Sequence, residues 1–240
     1  SGRPGPVLID VPRDVQLQSI DVDPAQLKKS TKIASSGRNP VRFHTDAKNF
    51  SQKLEQMIKL LASSKKAVLY CGGGCNSPQA SDGLNKFLSV YSIPVVTSLM
   101  GLGCISESRE EFIGMIGMHG SYAANVAVHE SDLVIAAGVR FDDRATGLVK
   151  QFCPDAKIIH VDIDAAEIDK IIPSTISVVA DVESFMPAFA ELIKEKKIKT
   201  DSNWLKKIKK IKDETDLITL GRPKNEKSVN PRQIIASTPD

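Results

Sequence analysis

Leu133-Val134-Ile135-Ala136-Ala137-Gly138-Val139-Arg140-Phe141-Asp142-Asp143-Arg144 is an unbroken apolar run that ends abruptly in glycine, arginine and aspartate. A short continuous apolar run bounded in this way reads as a strand buried on both faces, the mark of a parallel sheet. Open parallel sheets take ligands outside the carboxyl ends of their strands. Gly138 there lets a backbone approach closely, Arg140 and Arg144 offer planar multi-donor forks for phosphate, and Asp142 and Asp143 can accept from hydroxyls or hold the arginines. Without a ligand, such a loop forms solvated ion pairs of little worth. A second run, Lys157-Ile158-Ile159-His160-Val161, closes in Asp162-Ile163-Asp164, where nucleotide-binding α/β domains set an acid on a ribose. An acid in that place can also be only a helix cap. Two successive strands ending in this way point to a phosphorylated adenosine cofactor.

Working outward, the same alternation repeats. Phe50, Leu54, Met57, Ile58 and Leu61 keep helical spacing before the apolar strand Ala67-Val68-Leu69-Tyr70-Cys71. Gly72-Gly73-Gly74 follows, then a helix burying Leu84, Phe87, Leu88 and Tyr91, then the strand Pro94-Val95-Val96-Thr97. A glycine-rich stretch from Met100 to Gly120 holds a short strand near Phe112 to Met115, and Ser121 caps a helix running to about Glu130. Beyond the second run, the pattern predicts a short helix over Asp162 to Lys170, a strand over Ser177-Val178-Val179-Ala180 and an amphipathic helix over Val182 to Lys194. The fold class is therefore α/β: a parallel, Rossmann-like sheet of about six strands with helices on both faces. Its ligand groove would run past Gly72 to Gly74, Ser98 to Met100, Ile116 to Gly120, Gly138 to Arg144, Asp162-Ile163 and Asp181-Val182.

Toward the start, Val7-Leu8-Ile9-Asp10-Val11 reads as a short strand closed by Pro12, followed by a linker-like polar stretch to about His44. Both ends of the chain read as cut. At 240 residues with 41% hydrophobic content, the chain can bury a sizeable core. It has no apolar run of membrane-spanning length. Cys71, Cys75, Cys104 and Cys153 lack zinc-type spacing and read as buried thiols in a reducing compartment.

The net charge is only +3, although lysines crowd Lys194 to Lys212. Trp204, Leu205, Ile208 and Ile211 recur at helical spacing among them, so most of these lysines occupy the wet face of an amphipathic helix. Apart from Trp204, on the apolar face, no aromatic residue interleaves them to stack bases, which counts against nucleic acid. Gly72-Gly73-Gly74 could cradle a pyrophosphate or be no more than a flexible turn, since neither GxGxxG nor GK[ST] occurs. His119 could meet a flat ring or a phosphate, or simply bond at the surface. No metal-ligand spacing and no nucleophile motif appears.

These residues resemble a particular family. Gly2-Arg3-Pro4-Gly5-Pro6-Val7-Leu8-Ile9-Asp10-Val11-Pro12, Leu69 to Cys75, Ser98-Leu99-Met100-Gly101-Leu102-Gly103, Gly117-Met118-His119-Gly120 and Gly138 to Arg144 are similar to the large catalytic subunits of acetolactate synthase (acetohydroxyacid synthase). The likeness continues through His160 to Asp164 and Ala180-Asp181-Val182. It implies a thiamine-diphosphate and Mg²⁺ transferase of branched-chain amino-acid synthesis. That reaction joins pyruvate, with loss of CO2, to a second pyruvate or 2-ketobutyrate.

By the same resemblance, residues 1–20 end a thiamine-pyrimidine-binding domain, 21–46 link, 47–198 form a central FAD-binding domain, and 199–240 lead into a thiamine-diphosphate-binding domain. Carried over position by position, the flavin contacts are Arg3, Gly73, Ser98, Leu99, Ile116, Gly117, Met118, His119, Gly138, Val139, Arg140, Phe141, Asp142, Arg144, Asp162, Ile163, Asp181 and Val182. The glutamate that activates the thiazolium and the motif that holds Mg²⁺ fall outside the chain, so no catalytic or metal-binding residue is expected in it. Arg13 stands where the family often has lysine, and Ser98 where it often has threonine. The resemblance further implies a homodimer or tetramer, a small regulatory subunit, a cytoplasmic location, and no nucleic-acid or membrane partner. A free-standing NAD-binding regulatory domain is the alternative for the same topology, with the missing fingerprint against it.

Overall fold

The computed structural model describes residues 6, 8–19, 21 and 47–215. Arg3, Val7 and most of the expected linker lie outside them.

In the leading unit, residues 1–42, the expected strand does not form: positions 8–11 are irregular, with Leu8 and Ile9 exposed. A strand is held by ladder bonds to a neighbour, and among the described residues no strand pairs with these. Helix α1, Arg13–Gln16, follows without a side-chain cap, and Gln16 Nε2 donates to the Val11 carbonyl.

The second unit, residues 43–240, is built on a sheet. Helix α2, Ala47–Ser63, buries Met57 and Leu61 and ends where Asp132 accepts from the Lys65 and Lys66 amides. Strand β1 is Ala67–Cys71, β2 Val95–Thr97, β3 Phe112–Met115, β4 Leu133–Ala137, β5 Lys157–Asp162 and β6 Ile176–Val179. All pairings are parallel, in the order β3-β2-β1-β4-β5-β6. The chain works outward from β1 to β3, then returns to lay β4 on the other side of β1. Between β1 and β4 the strand order reverses, which is where a doubly wound sheet binds its ligand.

Alternate residues of each strand feed opposite layers. Leu69, Ile135 and Ile159 join α2, helix α3 (Pro78–Val90) and helix α6 (Val182–Glu195). Val68, Val134 and Ile158 join helix α4 (Tyr122–His129) and helix α7 (Ser202–Thr215). Both faces are thus covered, as the continuous apolar strands require. Ser77, Ser121 and Asp181 cap α3, α4 and α6, each side chain satisfying an N–H that the first helical turn leaves free. Phe87 stacks on Phe189 to join α3 to α6, and a Cβ on Gly83 would lie 2.8 Å from Pro187 Cδ. Helix α7 buries Trp204, Leu205 and Ile208, while Lys207 and Lys209 pair with Glu130 and Glu110. The four cysteines are free and buried.

One element differs. Residues 165–169 form turns, not the expected helix. Asp162 Oδ1 accepts from the Asp164 amide and Asp164 Oδ1 from the Ala166 amide. Short acidic side chains that hold their own backbone compete with helical bonds. Asp169 then takes a left-handed φ of 58° and accepts from Ser174.

Candidate functional site

At the switch point the β1 and β4 turns lock together through glycine. The Gly72 amide donates to the Ala137 carbonyl (2.9 Å) and the Gly74 amide to the Gly138 carbonyl (3.1 Å). A Cβ on Gly72 would lie 2.1 Å from Gly138 O, and one on Gly138, whose φ is 58°, 2.6 Å from Gly74 Cα. Gly73 stands at the exposed tip, opening a 3₁₀ turn over Gly73–Cys75.

Beyond Gly138 the side chains alternate. Val139 and Phe141 enter the core, whereas Arg140, Asp142, Asp143 and Arg144 face solvent. Phe141 holds a left-handed φ of 52° and is boxed edge-on by Tyr70, Phe152 and His160. Asp142 caps the short helix α5, Asp143–Thr146, by accepting from the Ala145 amide. Neither Arg140 nor Arg144 makes an ion pair or side-chain hydrogen bond to a described residue. The solvated Arg/Asp pairing that the composition allowed is therefore not formed in this loop.

The β3 end joins this loop. The Met118 amide donates to the Arg144 carbonyl (3.2 Å), and a Cβ on Gly117 (φ 101°) would meet that oxygen at 2.4 Å. Met118 and His119 are exposed, and Ile116 is buried. After β2, the Ser98 amide donates to the Cys71 carbonyl (2.9 Å), and Leu99 and Met100 stand 68% and 64% exposed. At the far strands Asp162 is nearly buried, and desolvation raises its carboxyl pKa against the opposing Asp164 amide. Ile163 is half-buried beside it, Asp181 holds the Glu183 amide, and Val182 is in the core.

The ends of β1 to β4 are thus tied to one another, and those of β5 and β6 share the same edge of the sheet. Ile116, Val139, Phe141 and Val182 turn their side chains into the core, leaving only backbone to a ligand. Arg3 lies outside the described residues.

Two anchoring residues were missed by sequence reading. Asn125 on α4 accepts from the Gly117 amide (2.9 Å) and donates to its carbonyl (3.1 Å), and Asn76 donates to the Met100 carbonyl. An asparagine can satisfy both groups of one peptide, but nothing in its local sequence says which loop it will face. Chemically, the edge presents free guanidinium donors, exposed apolar side chains and acids, which suits a ligand with phosphate, hydroxyl and flat apolar parts. Among the described residues no group of three or more His, Cys, Asp or Glu is placed to hold a metal ion, and no helix is long and apolar enough to cross a membrane.

Residues 54–189 match the family described as thiamine pyrophosphate enzyme, central domain. The chain is 44% identical over 214 residues to the acetolactate synthase large subunit of Corynebacterium glutamicum, covering 88% of this chain and 33% of that protein. It is 41% identical over 192 residues to the acetolactate synthase isozyme 2 large subunit of Escherichia coli K12, covering 80% and 32%. Acetolactate synthase 1, chloroplastic, of Nicotiana tabacum is 40% identical over 233 residues, covering 92% and 32%. The chain spans about a third of the length of these relatives.

Proposed function

This chain belongs to the thiamine pyrophosphate enzymes, as their central domain, and on that premise we propose that it is the FAD-binding segment of an acetolactate synthase large subunit. The observation that carries this reading is the unpartnered state of Arg140 and Arg144 on a loop locked at the switch point. A charge-assisted fork with no internal partner is what a pyrophosphate needs. The other residues fit the flavin as well. Gly73 and the backbone of Gly138, Val139, Phe141 and Asp142 would approach the pyrophosphate. The exposed Leu99, Met118 and His119 would lie along a flat ring, with the backbone of Ser98, Ile116 and Gly117 beneath. Asp162, Asp181 and their neighbours Ile163 and Val182 would meet hydroxyls, and Arg3 would complete the set.

Thiamine diphosphate, when bound with Mg²⁺ in the longer protein, would supply the decarboxylation of pyruvate and its joining to a second 2-keto acid. The residues that grip it would lie outside this chain, so the segment would not be catalytic alone. Residues 1–20, 21–46, 47–198 and 199–240 would be, in turn, the end of a preceding domain, a linker, the FAD-binding domain and the entry to a following domain. A homodimer or tetramer with a small regulatory subunit, in the cytoplasm, completes the reading. The test is FAD titration and acetolactate formation from pyruvate by the chain and by the full-length protein. The reading expects both from the full-length protein, and a full-length enzyme that is indifferent to FAD would overturn the flavin assignment.

A further inference from the structure

His160 lies in the middle of β5, between Ala136 of β4 and Ser177 of β6, and is fully buried. Its Nε2 is 3.0 Å from the Val139 carbonyl oxygen, and its Nδ1 has no hydrogen-bond partner among the described residues. A carbonyl can only accept, so Nε2 must carry the hydrogen, which assigns the neutral Nε2–H tautomer. The ring edge also meets Phe141, with centroids 5.1 Å apart at 77°.

One side chain therefore grips both inward residues that flank Arg140. That grip is needed, because Phe141 holds a left-handed conformation that bulky residues seldom adopt. Such backbone persists only where its surroundings over-determine it. Were Nε2–H lost, the Val139 carbonyl would be left without its recorded partner beneath the loop.

We propose that His160 is the positioning residue of the loop 138–142, fixing Val139 and Phe141 inward so that Arg140 is held outward. The positioning stands on this geometry alone; its consequence for flavin affinity rests on the function proposed above.

The test uses the full 240-residue chain with His160→Gln, which keeps an N–H donor at similar reach, and His160→Phe, which keeps a ring without the donor. Ring ¹⁵N spectra of the unsubstituted protein should show Nε2 protonated and Nδ1 bare. Backbone order parameters of Val139 to Asp142 should fall in His160→Phe while those of Val134 to Ala136 do not, and His160→Gln should restore them. An Nδ1–H tautomer, or an equally ordered loop in His160→Phe, overturns the proposal. If His160→Phe does not fold, the tautomer and the order of the His160→Gln loop decide it. In the full-length protein, FAD affinity should weaken about tenfold in His160→Phe and recover in His160→Gln. Loop order lost with FAD affinity unchanged would sink the flavin reading and leave the positioning role standing.

Discussion

The Gly74 amide donates to the Gly138 carbonyl at 3.1 Å, and each glycine sits where the other's Cβ would have to go: 2.8 Å from Gly138 Cα in one direction, 2.6 Å from Gly74 Cα in the other. This contact closes the two strand ends that flank the reversal of strand order. Neither turn can accept a side chain without parting from its neighbour.

Gly138→Ala should therefore destabilise the chain by about 2 kcal/mol or more, combining about 1–2 kcal/mol for a left-handed residue with about 1–3 kcal/mol for overpacking. Gly103→Ala, at positive φ with nothing within 4 Å, should cost less. Urea unfolding of both variants measures the difference, and equal midpoints would mean that the two turns separate freely.

Arg140→Ala should leave folding stability within about 0.5 kcal/mol, as expected of an exposed side chain without partners. In the full-length protein the same change should weaken FAD binding by about 1.5–3 kcal/mol, the range for hydrogen bonds to charged groups. That is roughly tenfold to more than a hundredfold in Kd. Arg140→Lys should recover only part of it, because a point charge does not replace a fork. An unchanged Kd in FAD titration would remove Arg140 from the site.

The chain by itself should form no acetolactate from pyruvate, and should hold FAD more weakly than the full-length protein. Cofactor chemistry needs the parts that position the cofactor, and residues 8–11 carry no strand that could steady a neighbouring Arg3. Stoichiometric FAD retained through purification of the chain would contradict the second half of this prediction.

Acid should destabilise the fold through His160. Burial lowers its pKa, with the Val139 bond and the Asp162, Asp169 and Glu167 carboxylates opposing. Below the unfolded value of about 6.5, the unfolded chain takes a proton that the folded chain refuses. Stability present above that pH is then lost as pH falls toward the lower folded value. Unfolding free energies measured from pH 7 down to 5 should drop more steeply for the unsubstituted protein than for His160→Gln. Parallel curves would mean that the imidazole is solvated.

Cys153 should resist alkylation in the native chain. Burial pushes the Cys153 thiol up to about 12, so little thiolate, the reactive form, exists near neutral pH. Mass spectrometry after iodoacetamide should find Cys153 unmodified until urea is added. Rapid native labelling there would reveal local opening around Phe152.

What could be read from the sequence was what local pattern encodes. Ala67–Cys71 and Leu133–Ala137 are strands at the residues expected, because a run buried on both faces must be apolar throughout. Ser121 caps its helix because a hydroxyl just before a helical stretch can take up a free amide. The Asp162 to Lys170 segment misled, since carboxylates that bind their own backbone look the same in sequence as those that begin a helix. Other features depend on residues far apart in the chain: the order of strands, the seating of Gly138 on Gly74 and of Gly117 on the Arg144 carbonyl, and the His160 contact with Val139. Periodicity shows that Val139 and Arg140 take opposite sides, but only the packed sheet decides which side is the core.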